Sequence, residues 1–168
     1  MKVTFVKTGA RRYAVEVSRE RYPDLRCGSI GYDDRLPHDL LHFVAEAEYG
    51  LDGGIFADLA TGGNARIFMP LDENHMVDMQ LVTKLWRKQR IRRTRLPDGR
   101  RSEELAWRLD QGWRAQTLAP HLQRKLDDLA TRWDALQIGG SLTLEWPRPE
   151  RRKPHPSRRR RRPATARR

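Results

Sequence analysis

The sequence predicts an α+β fold: a small antiparallel sheet, made of an N-terminal hairpin and a C-terminal strand, covered by helices and followed by a disordered basic tail. Three observations predict it. Residues 2–7 and 12–18 are rich in β-branched and aromatic side chains, and residues 141–147 alternate Leu142, Leu144 and Trp146 with polar neighbours. The stretch between them repeats its apolar residues at helical spacing. Past Pro147 almost nothing remains to bury.

The elements follow in order. The two opening runs flank Thr8-Gly9-Ala10-Arg11, a glycine-containing turn, so they read as a hairpin. Tyr13, Val15 and Val17 share one face of its second strand, which makes that face the covered one. Residues 19–36 carry Pro23, Gly28, Gly31 and the pair Asp33-Asp34, a connection with room for a short strand near Ile30. Pro37 suits the first turn of a helix, where a missing N–H costs nothing, and that helix runs over 37–49 to stop at Gly50. A short helical or bent segment, IFADLA, lies between the Gly53-Gly54 and Gly62-Gly63 turns, and residues 65–70 read as a strand. A long helix is expected over about 72–93. Leu96-Pro97-Asp98-Gly99 makes a turn, and Ser102 before Glu103 and Glu104 reads as the cap of a helix over 103–116. Pro120 opens the last helix, over 120–137. Leu105, Leu109 and Trp113 share a face of the first of these helices, and Leu122, Leu126, Leu129, Trp133 and Leu136 a face of the second. The short link between them predicts an antiparallel pair. The domain therefore spans 1–147 and the tail 148–168.

Charge is distributed unevenly. The chain is +12 overall, yet the tail holds eleven Lys/Arg against one acid, while the other 147 residues amount to only +2. Within the body, residues 84–101 form a second basic cluster with nine Lys/Arg and a single acid, Asp98. Lys84, Arg87, Lys88, Arg90, Arg92, Arg93 and Arg95, together with Arg158, Arg159, Arg160, Arg161 and Arg162, are the candidate contacts to nucleic acid or another polyanion. Such cations bind phosphate without reading sequence. The competing reading of the helix is a solvated basic C-terminus that complements its dipole. Trp86 and Trp107 are candidates for base stacking or for packing under a neighbouring element.

Some classes are excluded or disfavoured. No segment reaches the roughly 18 apolar residues of a membrane span, and the tail has no apolar anchor, so no membrane partner is expected. The single cysteine, Cys27, rules out an intramolecular disulfide and a Cys-based zinc cluster, and cytoplasmic placement follows. Nucleotide-binding glycine loops and serine-hydrolase elbows are lacking.

One motif carries metal chemistry. In Pro37-His38-Asp39-Leu40-Leu41-His42, the two histidines stand four apart, and Glu46 follows four later on the same helical stripe. Imidazoles at that spacing can chelate one divalent, zinc-like ion, and a carboxylate one turn on can join them. The stripe lies opposite the apolar set of Leu40, Leu41, Phe43 and Val44, so it faces solvent, a second layer or a protein partner. The run resembles the HExxH motif of zinc-dependent hydrolases. The resemblance implies His38 and His42 as ligands and Asp39 as general base, although Asp39 is one methylene shorter than the glutamate of that family. His75 is a further candidate ligand. More widely, the opening hairpin, PHDLLHFVAEAEYGL and GGSLTLEWP resemble small bacterial proteins of an uncharacterised family with no known activity, which implies no chemistry.

Three functional readings result. The leading one is a non-enzymatic module that binds nucleic acid or another polyanion and needs no cofactor. The second is a metal-binding protein, with hydrolase as its enzymatic form, using His38, His42 and Glu46. The third is an adaptor whose histidine face docks on a protein.

Overall fold

The computed structural model describes residues 1–29, 35–65, 67–71 and 96–147. Five strands form one antiparallel sheet: β1 (Lys2–Gly9), β2 (Arg12–Ser18), β3 (Leu25–Ser29), β4 (Met69–Pro70) and β5 (Ser141–Glu145), in the order β4-β3-β2-β1-β5. Four helices are described: α1 (His38–Tyr49), α2 (Ile55–Ala60), α3 (Gly99–Arg114) and α4 (Pro120–Asp134). The architecture is α+β.

Period-two patterning builds the sheet. Register aligns Leu142, Phe5, Val15 and Cys27 in one row across four strands, and Leu144, Val3, Val17 and Leu25 in the next. Seven of these eight are buried, and Leu144 packs against them. The other face is polar, with Thr4 and Thr143 sharing a hydrogen bond and Arg26 paired to Glu16. The C-terminal strand returns to β1, as the sequence predicts. The hydroxyl of Thr4 and the backbone of Val6 thereby meet a segment almost 140 residues away.

The short strand allowed for near Ile30 lies just before it, as β3. Its run, LRCGS, has a glycine and no alternation strong enough to stand out beside Pro23. Pairing with β2 along five residues overrides that weak propensity. Cys27 is a buried strand residue rather than part of a loop. The strand expected over 65–70 shrinks to Met69–Pro70, because the N–H groups of Ile67 and Phe68 turn back to the Asn64 carbonyl instead of joining the ladder. Ile30, the helix expected over 72–93 and the tail lie outside the described residues.

Helix α1 occupies the centre. Every residue from Asp39 to Glu46 is buried, so the helix is covered on all sides rather than along one stripe. Its apolar side meets the sheet through Phe43, which makes edge contacts with Phe5, Phe56 and Trp146. Its opposite side is roofed by α3. The helix ends at Gly50, whose φ of 69° gives the left-handed cap that glycine accepts most readily. Leu109 and Trp113 of α3 and Leu126, Leu129 and Trp133 of α4 are buried in the common core, and the Trp113 indole donates to Asp127 of α4 at 2.8 Å. No described helix is long and apolar enough to cross a membrane.

Candidate metal centre

Two helices build the site. The i, i+4 spacing on α1 stacks His38 and His42, with ring centroids 4.6 Å apart and edge-on. Their Nε2 atoms are separated by 3.1 Å. From α3, Glu103 turns toward both: Oε1 lies 3.3 Å from His38 Nε2, and Oε2 lies 3.2 Å from His42 Nε2. One ligand atom from each of the three side chains falls within 4.8 Å of the others. Donors bound to a tetrahedral zinc-like ion at about 2.0–2.1 Å stand about 3.3 Å apart. The two Nε2 atoms are near that spacing, each lies near it from a different Glu103 oxygen, and two imidazoles with one carboxylate are a donor set that zinc and similar divalent ions accept.

Exposure grades across the cluster. The His42 side chain is 1 % exposed, Glu103 34 % and His38 45 %. The inner ligand is fixed in the core and the outer two border solvent, so the cluster opens outward.

Behind His42 lies a chain of hydrogen bonds. Its Nδ1 is 2.7 Å from Ser102 Oγ, and Ser102 donates its hydroxyl hydrogen to Glu46 Oε1 at 2.6 Å. Glu46 is wholly buried and also accepts the backbone N–H groups of Ile55 (2.7 Å), Phe56 (2.8 Å) and Ala57 (3.4 Å) at the start of α2. Burial pushes its carboxyl up from the usual range, opposed by Ser102, the charge of His42 and the N–H groups of Ile55 and Phe56. Both oxygens already receive donors, so the geometry suits the carboxylate. Glu103 is held well below the usual carboxylate range by hydrogen bonds from His38 and His42, against the cost of its partial burial.

The tautomer of His42 follows from this chain. Ser102 has one hydrogen and gives it to Glu46, so it accepts from His42 Nδ1–H. In neutral His42 the lone pair then sits on Nε2, aimed at Glu103 and His38. A neutral His38 brings one N–H at most to the cluster through Nε2. With the lone pair on Nε2, His42 and Glu103 Oε2 stand 3.2 Å apart with no hydrogen between them; with Nε2 protonated, His42 donates to Glu103 and the pair is a charged hydrogen bond. That contact calls for a proton or a cation between them.

No protein family, curated protein or solved structure matches the chain. The reading of the site rests on its geometry.

Two residues singled out in the motif are placed elsewhere. Glu46 does not join the histidines. Its carboxylate is drawn to the start of α2, where three backbone N–H groups outcompete a place in the cluster, and Ser102 stands between it and His42. Asp39 does not face the cluster as a base. It is 3 % exposed and accepts the Tyr13 hydroxyl from β2 at 3.0 Å, on the sheet side of the helix. The ligand that sequence reasoning missed is Glu103, 61 residues beyond His42. Its one signal was the Ser102-Glu103-Glu104 run, which reads as a capping motif. In the structure α3 starts earlier, at Gly99, and Ser102 lies inside the helix facing α1. His75, Trp86, the basic residues 84–95 and Arg158 to Arg162 lie outside the described residues. Trp107, on α3, is 61 % exposed.

Proposed function

We propose that this protein binds one divalent, zinc-like metal ion through His38, His42 and Glu103, and leaves a coordination position on the solvent side for water or a ligand. The observation that carries the reading is the convergence of one donor atom from each of His38, His42 and Glu103 to within 4.8 Å of one another, with His38 and Glu103 bordering solvent. Three protein ligands with an outward-facing gap are the arrangement of metal sites that act on a ligand rather than merely brace a fold. An ion held there supplies Lewis-acid polarisation and a more acidic bound water. The single, buried cysteine supports a cytoplasmic protein whose metal site does not use thiolate.

Elemental analysis of untagged protein, followed by zinc and cobalt titration, tests the reading. One equivalent per chain is expected, lost in His38→Ala plus His42→Ala and weakened at least tenfold in Glu103→Gln. Uptake well below one equivalent, or uptake indifferent to these substitutions, overturns it.

A second reading rests on a separate observation, the +10 charge of residues 148–168. We propose that this segment, with the basic residues 84–95, contacts nucleic acid or another polyanion without sequence specificity. Phosphate contacts by such a segment make binding fall steeply with salt, by about 0.9 in log K per neutralised phosphate for each unit of log salt. Deleting residues 148–168 should flatten that dependence. An unchanged slope removes the proposal.

A further inference from the structure

Beyond the three ligands, the buried hydrogen-bond chain behind His42 has a direction. His42 Nδ1–H donates to Ser102 Oγ, Ser102 O–H donates to Glu46 Oε1, and the Glu46 carboxylate is itself held by N–H groups of α2. Ser102 is 0 % exposed and Glu46 is 0 % exposed, so water does not compete for these bonds. Reversing the chain would require a hydrogen on Glu46, and both of its oxygens already take donors. The carboxylate is also sterically confined. A Cβ on Gly54 would fall 2.3–2.5 Å from its three carboxyl atoms, so only glycine at 54 leaves it room.

We propose that Ser102 and Glu46 are positioning residues that keep the hydrogen of His42 on Nδ1 and so commit Nε2 to the metal. The inference rests on the metal-binding reading above and adds to it a device for choosing the ligand atom. A neutral histidine side chain in water prefers the opposite tautomer, with its hydrogen on Nε2, which would block coordination through that atom. A buried acceptor at Nδ1 removes that competition and fixes the plane of the ring. It also joins the site to the fold, because the carboxylate at the end of the chain is the same one that holds the start of α2 against α1.

Two measurements on the full chain test it. The first is the long-range proton–nitrogen NMR spectrum of the histidine rings, with and without zinc. His42 Nδ1 is expected to carry hydrogen in both states, whereas Nε2 changes environment when zinc binds. A His42 Nδ1 without hydrogen in the metal-free wild type overturns the relay, and this needs no variant. The second is zinc affinity by competition with a chelator. Ser102→Ala removes the acceptor without adding bulk and should weaken zinc about 10–100-fold and move the metal-free ring toward the Nε2–H form. Gly54→Ala, which pushes on Glu46 from its far side, should act in the same direction. Gly63→Ala is the control: a Cβ there meets Asp58 at 1.9–2.4 Å, so it strains the same part of the fold away from the relay. It should lower stability and leave the zinc affinity of the folded protein unchanged. Wild-type affinity in Ser102→Ala sinks the relay and spares the metal site. A wild-type protein that takes up no zinc sinks the metal site, while the ring spectrum still decides the relay.

Discussion

At the residue scale, most of what distinguishes this protein is polar and buried. Asp39, His42, Glu46 and Ser102 all lie inside, a costly arrangement unless each group is hydrogen-bonded. Each has an identified partner: Tyr13 for Asp39, Ser102 for His42, and backbone N–H groups for Glu46. Arg19 follows the same rule, donating its guanidinium to the carbonyl oxygens of Pro23, Leu59 and Gly63. Tyr13→Phe keeps the ring and removes the hydroxyl that serves the Asp39 carboxylate. It should cost about 1–3 kcal/mol, read as a lower urea midpoint with an unchanged slope. A loss of metal affinity larger than the loss of stability would contradict the placement of Asp39 outside the cluster. The motif was legible at this scale only in part. Spacing on one helix revealed the histidine pair, because i and i+4 neighbours are fixed by helical geometry. Where the carboxylates point was not legible. Glu46 shares the stripe but meets stronger donors, and Glu103 reaches the pair from a distant segment.

At the element scale, α1 is the piece everything else surrounds. Its amphipathic pattern marked the sheet-facing side correctly, and the other side gained its cover from α3. The strand β3 was only faintly marked, and a few residues off, for the complementary reason: its neighbours more than its own residues make it a strand. Helices α3 and α4 show that strong periodicity does survive folding. Leu126 of α4 is fully buried in the core, and Leu126→Ala should cost about 2–5 kcal/mol in chemical denaturation. A cost below 1 kcal/mol would contradict the packing. A charge contact also ties α1 to α4, since Glu48 accepts from His121 at 2.8 Å and lies 3.6 Å from Lys125. The hydrogen bond from His121 lowers the Glu48 carboxyl, and the charge of Lys125 adds to it against partial desolvation. A depressed carboxylate stabilises the fold above its unfolded value and loses that contribution as pH falls through its folded value. The stability difference between wild type and Glu48→Gln should therefore be present at neutral pH and shrink on acidification below the ordinary glutamate range. A difference that grows on acidification would be the wrong sign. Screening by solvent and salt keeps the effect small.

At the scale of the whole molecule, α1 lies between the sheet and α3, with the candidate metal centre where α1 and α3 meet. A metal that binds the folded state alone should raise the melting temperature in proportion to the logarithm of its concentration above Kd. Scanning calorimetry with and without excess zinc checks this, and His38→Ala plus His42→Ala should abolish the rise. An equal rise in that variant would place the metal elsewhere. The sequence by itself determined the α+β class, the hairpin and returning strand, the apolar faces of α3 and α4, the histidine spacing and the charge imbalance. These are local or compositional: period two, period 3.6, turn residues and counts of ionisable groups. Tertiary structure alone decided that β3 pairs, that α1 is enclosed on every side, that Ser102 serves His42 and Glu46 rather than capping a helix, and that Glu103 completes the triangle. Each of these joins segments far apart in the chain, and periodicity within a segment carries no information about which distant backbone donors or carboxylates will compete for its side chains.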